Sequence, residues 1–322
     1  MKKIFDGVYM LEGDVVGRPL QLMYLRGNRA SLLLDTGCAG DPERFIVPQI
    51  REAGGDPAAL TWIINSHTDF DHTGGNHAMK RIAPRALLAC GDDDAEAAAD
   101  PNELFSVRYD AYREPHGIFY DEGSVRFILG QSGSPEPIDV TFVDGETIRL
   151  GDDWEVQVIA LPGHADGHIG IYDEKHHALY GADAIHGAVY TGLDGLPKLP
   201  PTYLFVDDYL DTIDLIESLP LDVYIGCHWP VKRGAEIAAF CKESRDFVYK
   251  ADEALMALLA KGPVTAREAC LTLGPILGDW EHTPGLDVEL IFAINGHLER
   301  LVDQEKAVVS RRGGINLYQR AW

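Results

Sequence analysis

The run Ser66-His-Thr-Asp-Phe-Asp-His-Thr-Gly-Gly-Asn76 places two imidazoles and two carboxylates, His67, Asp69, Asp71 and His72, within six positions. It follows directly on Leu60-Thr-Trp-Ile-Ile64, an apolar stretch whose residue types predict a strand. Alternation over so short a span does not suit a helix, so the run is expected to be a tight loop at the strand's end. Gly74 and Gly75 would then turn the backbone sharply into a helix. Imidazole and carboxylate groups converging on a rigid loop are how proteins hold divalent cations. A polar loop with two unrelated histidines has the same composition, so partners elsewhere in the chain decide the matter.

Those partners are present, in order. His164 lies in Leu161-Pro-Gly-His-Ala-Asp-Gly-His168, after the strand-like Trp154–Ala160. Asp183 follows His177-Ala-Leu-Tyr180, and His228 follows Asp222-Val-Tyr-Ile225. Every candidate ligand thus stands just past a short apolar strand, so the rims of two sheets can bring them together. In these four motifs and their order the chain resembles the metallo-β-lactamase-fold superfamily of metallohydrolases. That family's pattern is H-x-H-x-D-H, then P-G-H, then an isolated Asp, then a final His. The resemblance spans roughly the first 235 residues, with one departure: Asp69 stands where the family usually has its second histidine.

The resemblance implies an α/β fold, a four-layer αβ/βα sandwich of two sheets covered by helices. It also implies two divalent metal ions: one held by His67, Asp69 and His164, a second by Asp71, His72 and His228, and Asp183 bridging them. Asp71 and Asp183 would then be catalytic, through a metal-bridging hydroxide that needs no serine or cysteine nucleophile. His186, three positions after Asp183, stands where lactonases of this fold often carry a tyrosine. It is a candidate to polarise a carbonyl or protonate a leaving group, or else a plain loop residue. Zinc is the first expectation for the metal; the oxygen donor at Asp69 shifts preference toward iron or manganese. Three carboxylates and a hydroxide would also leave the two-ion core neutral, where a histidine at position 69 would leave it positive. Small-molecule esters, lactones, thioesters, amides and phosphodiesters all suit such a site. A di-iron redox protein related to flavodiiron proteins, and a non-catalytic metal-binding sensor, remain as alternatives. His168 is read as structural, and His77, His176, His177, His282 and His297 are assigned no role.

The formal net charge of −23 over 322 residues disfavours nucleic acid as a partner, because phosphate recognition relies on clustered Lys and Arg. Five cysteines form no CxxC pair and read as reduced thiols, buried and inert in the case of Cys227. With Asp6, Glu12 and Asp14 interrupting any leader and no long apolar run, the protein is expected to be cytoplasmic, with no membrane partner. Two stretches, 100–137 and 186–203, read as insertions that wall a substrate cleft, decorate the surface or make a dimer contact. Residues 1–235 are expected to form the metal-binding domain and 236–322 a small helical, winged-helix-like module. The helix expected over Asp287–Val302 carries Asp287, Glu289, Glu299 and nearby Asp303 against Arg300 alone, a balance that suits packing or homodimer contact rather than DNA.

Overall fold

A computed structural model describes residues 1–279 and 285–321; the side chains of Leu286 and Asp287 also lie outside the described set. Two sheets lie at its centre. The seven-stranded one begins as an antiparallel meander, Lys2–Phe5, Val8–Val15, Arg18–Arg26 and Ser31–Leu34. It continues in parallel through Trp62–Ile64, Leu87–Gly91 and Val140–Phe142. The six-stranded sheet runs Lys232–Arg233, Val223–Gly226, Ala178–Ala182, Ile169–Asp173, Glu155–Ala160, Thr147–Arg149, with one parallel pairing between Ala178–Ala182 and Val223–Gly226.

Each strand's alternation explains its place. Leu32 and Leu34 point into the layer between the sheets with Ile64, Val158, Ile171 and Ile225. Leu33 points the other way, against Ile46, Ile50 and Met79 of the covering helices. With both faces covered, no polar side is required, hence the unbroken Leu-Leu-Leu run. The outer face of the second sheet meets helices Val206–Ser218 and Ala235–Leu259. The result is the four-layer sandwich with helices outside.

Past Ala235 the order is a 25-residue helix, the short strand Val264–Thr265, helices Ala266–Leu277 and Leu286–Asp303, and the hairpin Ala307–Arg312/Ile315–Arg320. Thr265 caps its helix with Glu268 reaching back, as the Thr-Ala-Arg-Glu spacing predicts. Val264–Thr265 pairs with Ile315–Arg320, a third strand beside the hairpin that the sequence pattern did not reveal. These helices do not form a separate core. Leu255, Leu273, Leu290 and Phe292 belong to one apolar cluster with Leu161 and Leu179 of the second sheet's segment and Leu104 and Ile128 of the first insertion. Among the described residues no helix is long and apolar enough to cross a membrane, and all five cysteines are buried and unpaired.

Candidate metal centre

The sequence alternation hides a turn of helix. After the Trp62–Ile64 strand, Asn65 to Thr68 form the loop, but Phe70–Thr73 is helical, so Asp71 and His72 project from a helical turn rather than from the loop. Nor do the glycines make a sharp turn, since Gly74 and Gly75 both have right-handed helical backbones. Their need is close approach. A Cβ on Gly74 would sit 2.1 Å from the Gln131 carbonyl oxygen, and one on Gly75 2.2 Å from that of Thr36. The Pro162-Gly163 turn is different: Gly163 has φ +130°, and its missing Cβ would lie 2.6 Å from the Tyr209 Cα.

Four histidines past three strand ends are oriented in the same way. His67 Nδ1 lies 3.0 Å from Ser66 Oγ, whose own hydrogen goes to Asp35 Oδ2 at 2.8 Å. His72 Nδ1 donates to Asp35 (2.9 Å), His164 Nδ1 to the Thr202 carbonyl (3.2 Å) and His228 Nδ1 to the Pro19 carbonyl (2.7 Å). The hydrogen-bond network therefore puts a proton on every Nδ1 and turns every Nε2 inward. Such outer hydrogen bonds set a metal-binding histidine's tautomer and direction.

The inward atoms form the two groups expected. His67, Asp69 and His164 bring their donor atoms within 4.8 Å of one another, as do Asp71, His72 and His228. Asp183 sits between, Oδ1 3.9 Å from His72 Nε2 and Oδ2 3.3 Å from His228 Nε2. His67 Nε2, His72 Nε2 and Asp183 Oδ1 are buried with no hydrogen-bond partner among the described residues. Leaving one such atom unsatisfied costs about 1–3 kcal/mol. Lone pairs this close, all aimed inward, fit bound cations and not one another. Burial, reinforced by His72 and His164, holds the His67 imidazole well below its usual pKa, as a neutral ligand requires.

Asp35 was legible only as the end of a strand. It is fully buried, in left-handed backbone (φ 67°), and accepts from Ser66 N, Ser66 Oγ and His72 Nδ1. Burial opposes charge on His72, but Asp35 and Cys227 together more than offset it and raise that imidazole well above its usual pKa. The local signal was an aspartate closing an apolar strand before Thr36-Gly37. Cys227 lies beneath the same pair, its thiol pushed up to about 12 by burial, so it is buried and inert.

Asp69 has unforeseen company. Arg108, from the first insertion, is buried against it: the guanidinium forms an ion pair with Asp69, and Nη2 donates to Oδ2 at 2.9 Å. Tyr109 OH donates to Asp69 Oδ1 at 3.0 Å. Burial works against ionisation of Asp69, yet Arg108 and His164 hold its carboxyl well below the usual range. A charge count over the candidate ligands alone thus omits a cation, and a two-ion core with Arg108 included would be positive rather than neutral.

His186 is fully buried, ringed by His164, Tyr190, Tyr209 and Trp229, and is not among the residues lining the cavity above the centre. Tyr190 is: its hydroxyl donates to Asp183 Oδ2 at 3.2 Å. His168 stacks on His67 (5.0 Å), His77 pairs with Glu136, His176 with Asp173, and His297 bridges Tyr203 and Asp252. His177 takes left-handed backbone at a turn, and His282 lies outside the described residues. The cavity has a volume of about 510 Å³. Asp69, Asp71, Asp183 and His228 stand on its floor. Its walls come from both insertions (Tyr120, Phe127, Ile128, Leu199) and from Glu289 and Phe292 of the Leu286–Asp303 helix.

Residues 19–228 match the family model of the metallo-beta-lactamase superfamily, and the chain belongs to that superfamily of hydrolases. The human acyl-coenzyme A thioesterase MBLAC2 is 27% identical over 226 residues, 68% of this chain and 75% of that protein. A hydroxyacylglutathione hydrolase from Rhodospirillum rubrum is 29% identical over a shorter span, 40% of this chain and 35% of that one. The crystal structure of a metallo-beta-lactamase family protein from Thermus thermophilus superposes with a TM-score of 0.76. It covers 99% of this chain and 100% of its own at 22% identity, a likeness of fold that extends through the C-terminal helices.

Proposed function

We propose that the protein is a dinuclear metal-dependent hydrolase of acyl thioesters. The observation that carries it is the convergence of two three-residue donor groups on Asp183 at the floor of a largely apolar cavity. His67, Asp69 and His164 would hold one ion, Asp71, His72 and His228 the other, with Asp183 between. Bound ions supply a Lewis acid and a water acidic enough to attack at neutral pH. The chain's own residues do the rest. Phe70, Phe127, Ile128 and Leu199 present an apolar wall for an acyl tail, and Arg18, almost buried at the cavity's edge, offers a cation to an anionic group. Tyr190, hydrogen-bonded to Asp183 and facing the cavity, is better placed than His186 to meet a leaving group. Among the bonds such a centre could cleave, the names of the relatives favour the thioester.

The test is thiol release from acyl thioesters of graded chain length, with matched oxygen esters and phosphodiesters, by protein replete in zinc, manganese or iron. Thioester turnover that exceeds the other two classes, and is lost in Asp183→Ala, is expected. Turnover of phosphodiesters alone, or an Asp183→Ala variant as active as the parent, would sink the proposal.

A further inference from the structure

The two metal positions do not have the same neighbours. Around the Asp71–His72–His228 group, the described residues give His72 Nε2 and Asp183 Oδ1 no hydrogen-bond partner, as is also true of His67 Nε2 in the other group, and the cation beside it, Arg18, stays 3.9 Å from Asp71 Oδ2. Around the His67–Asp69–His164 group stands Arg108. Its Nη1 donates to the His164 carbonyl at 3.0 Å, and its Nη2 lies 2.9 Å from Asp69 Oδ2 and 3.1 Å from His164 Nε2. These last two atoms are 3.1 Å from each other and are donors that the position requires.

Because His164 Nδ1 donates its hydrogen to the Thr202 carbonyl, Nε2 has a single in-plane lone pair. That lone pair can accept from the guanidinium or bind a cation, but not both. Arg108 cannot give up its charge to make way. Nor is it loosely held: it is 5% exposed, and its guanidinium lies over the Phe292 ring, 5.1 Å from the centroid.

We infer that Arg108 makes the two positions unequal: the Asp71–His72–His228 position fills first, and the His67–Asp69–His164 position fills only by taking His164 Nε2 from the guanidinium. Arg108 is thus a positioning residue for the metal centre. It restores beside Asp69 the positive charge that aspartate removes relative to histidine, and sets how tightly the second ion is kept. The inference rests on the metal-binding reading above.

It is tested without turnover, by equilibrium dialysis of metal-free protein against graded zinc with elemental analysis of the retained metal. The wild type should take up one equivalent, and a second only at about tenfold or higher free zinc, the scale on which hydrogen-bond partners of ligands act. Arg108→Gln, checked for folding by circular dichroism, should bring the two uptakes together; Arg108→Lys, a charge without the fork, should fall between. Should Arg108→Gln not fold, manganese titration of the wild type followed by electron paramagnetic resonance decides. Uncoupled Mn²⁺ intensity should grow to one equivalent and fall as the second binds. A single uptake phase of two equivalents in the wild type, coupled signals from the first half-equivalent, or a folded Arg108→Gln with unchanged spacing would overturn it. No metal uptake at all would remove the metal-binding reading as well.

Discussion

At the scale of single residues, the centre depends on groups that never face the cavity. Asp35 is the clearest: it fixes the tautomer of His72 directly and that of His67 through Ser66 Oγ. Asp35→Asn keeps the size and one acceptor but removes the charge facing the His72 ring. Its amide must also place an NH₂ against either Ser66 or His72, both of which need an acceptor there. Metal affinity is expected to fall about 10–100-fold, the usual consequence of losing such a partner, while the folded circular-dichroism spectrum is kept. Affinity equal to the wild type by competition with a chromophoric chelator would show that packing alone orients His72.

At the scale of elements, the loops past the strands hold one another. The segment after the Leu87–Gly91 strand places Asp94 so that Oδ1 accepts from Gly167 N at 3.2 Å, supporting the turn between His164 and His168. Among the described residues Asp94 Oδ2 is buried without a hydrogen-bond partner, and burial pushes the carboxyl up to about 6, with the Gly167 N–H only partly offsetting it. A folded-state pKa above the unfolded value means that the folded chain holds the proton more tightly. The stability this group contributes is therefore full below about pH 4 and lost as pH rises through 6. Asp94→Asn retains the acceptor for Gly167 and carries no charge. It should raise stability by roughly 3 kcal/mol near pH 8 and change it little at about pH 3.5. Thermal unfolding at both pH values checks this; an equal shift at each would show that the carboxylate's charge is not what costs stability.

At the scale of the whole molecule, residues 236–322 complete the cavity. The Leu286–Asp303 helix contributes Phe292 and Glu289 to its lining, Phe292 packs edge-on against Tyr112 (5.5 Å), and Tyr120 OH donates to Glu289 at 3.2 Å. A winged-helix likeness for this segment, which its element order suggests, is a proposal about ancestry; its packing makes it part of the site. Phe292→Leu removes ring area while keeping an apolar side chain, at a stability cost below about 1.5 kcal/mol for a near-volume swap. On the thioesterase proposal, KM should rise several-fold for the longest acyl substrates and little for acetyl, with kcat less affected. Equal KM changes across chain lengths would mean that the helix closes the cavity without reading the acyl group.

Much of the centre was legible in the chain because ligand chemistry is local. His67, Asp69, Asp71 and His72 share one run, and His164, Asp183 and His228 each follow a strand whose apolar pattern marks where it ends. The unbroken run Leu32-Leu33-Leu34 likewise suits a strand covered on both faces, as in a layered sandwich. Contacts across long sequence separations carry no such local mark. Nothing in Phe105-Ser-Val-Arg108 announces that its guanidinium will lie against Asp69, 39 positions earlier, since an arginine among aromatics reads equally well as a cleft wall. Asp35 gains its role only when parallel pairing sets Leu34 beside Ile64 and so delivers Ser66 and His72 to its carboxylate. Tyr190 lines the cavity and His186 does not, a difference that their spacing from Asp183 does not encode. The sequence by itself determined the candidate ligand types and the strands that present them. The tertiary structure decided which charges surround those ligands, because electrostatic and hydrogen-bond partners are chosen by distance in space.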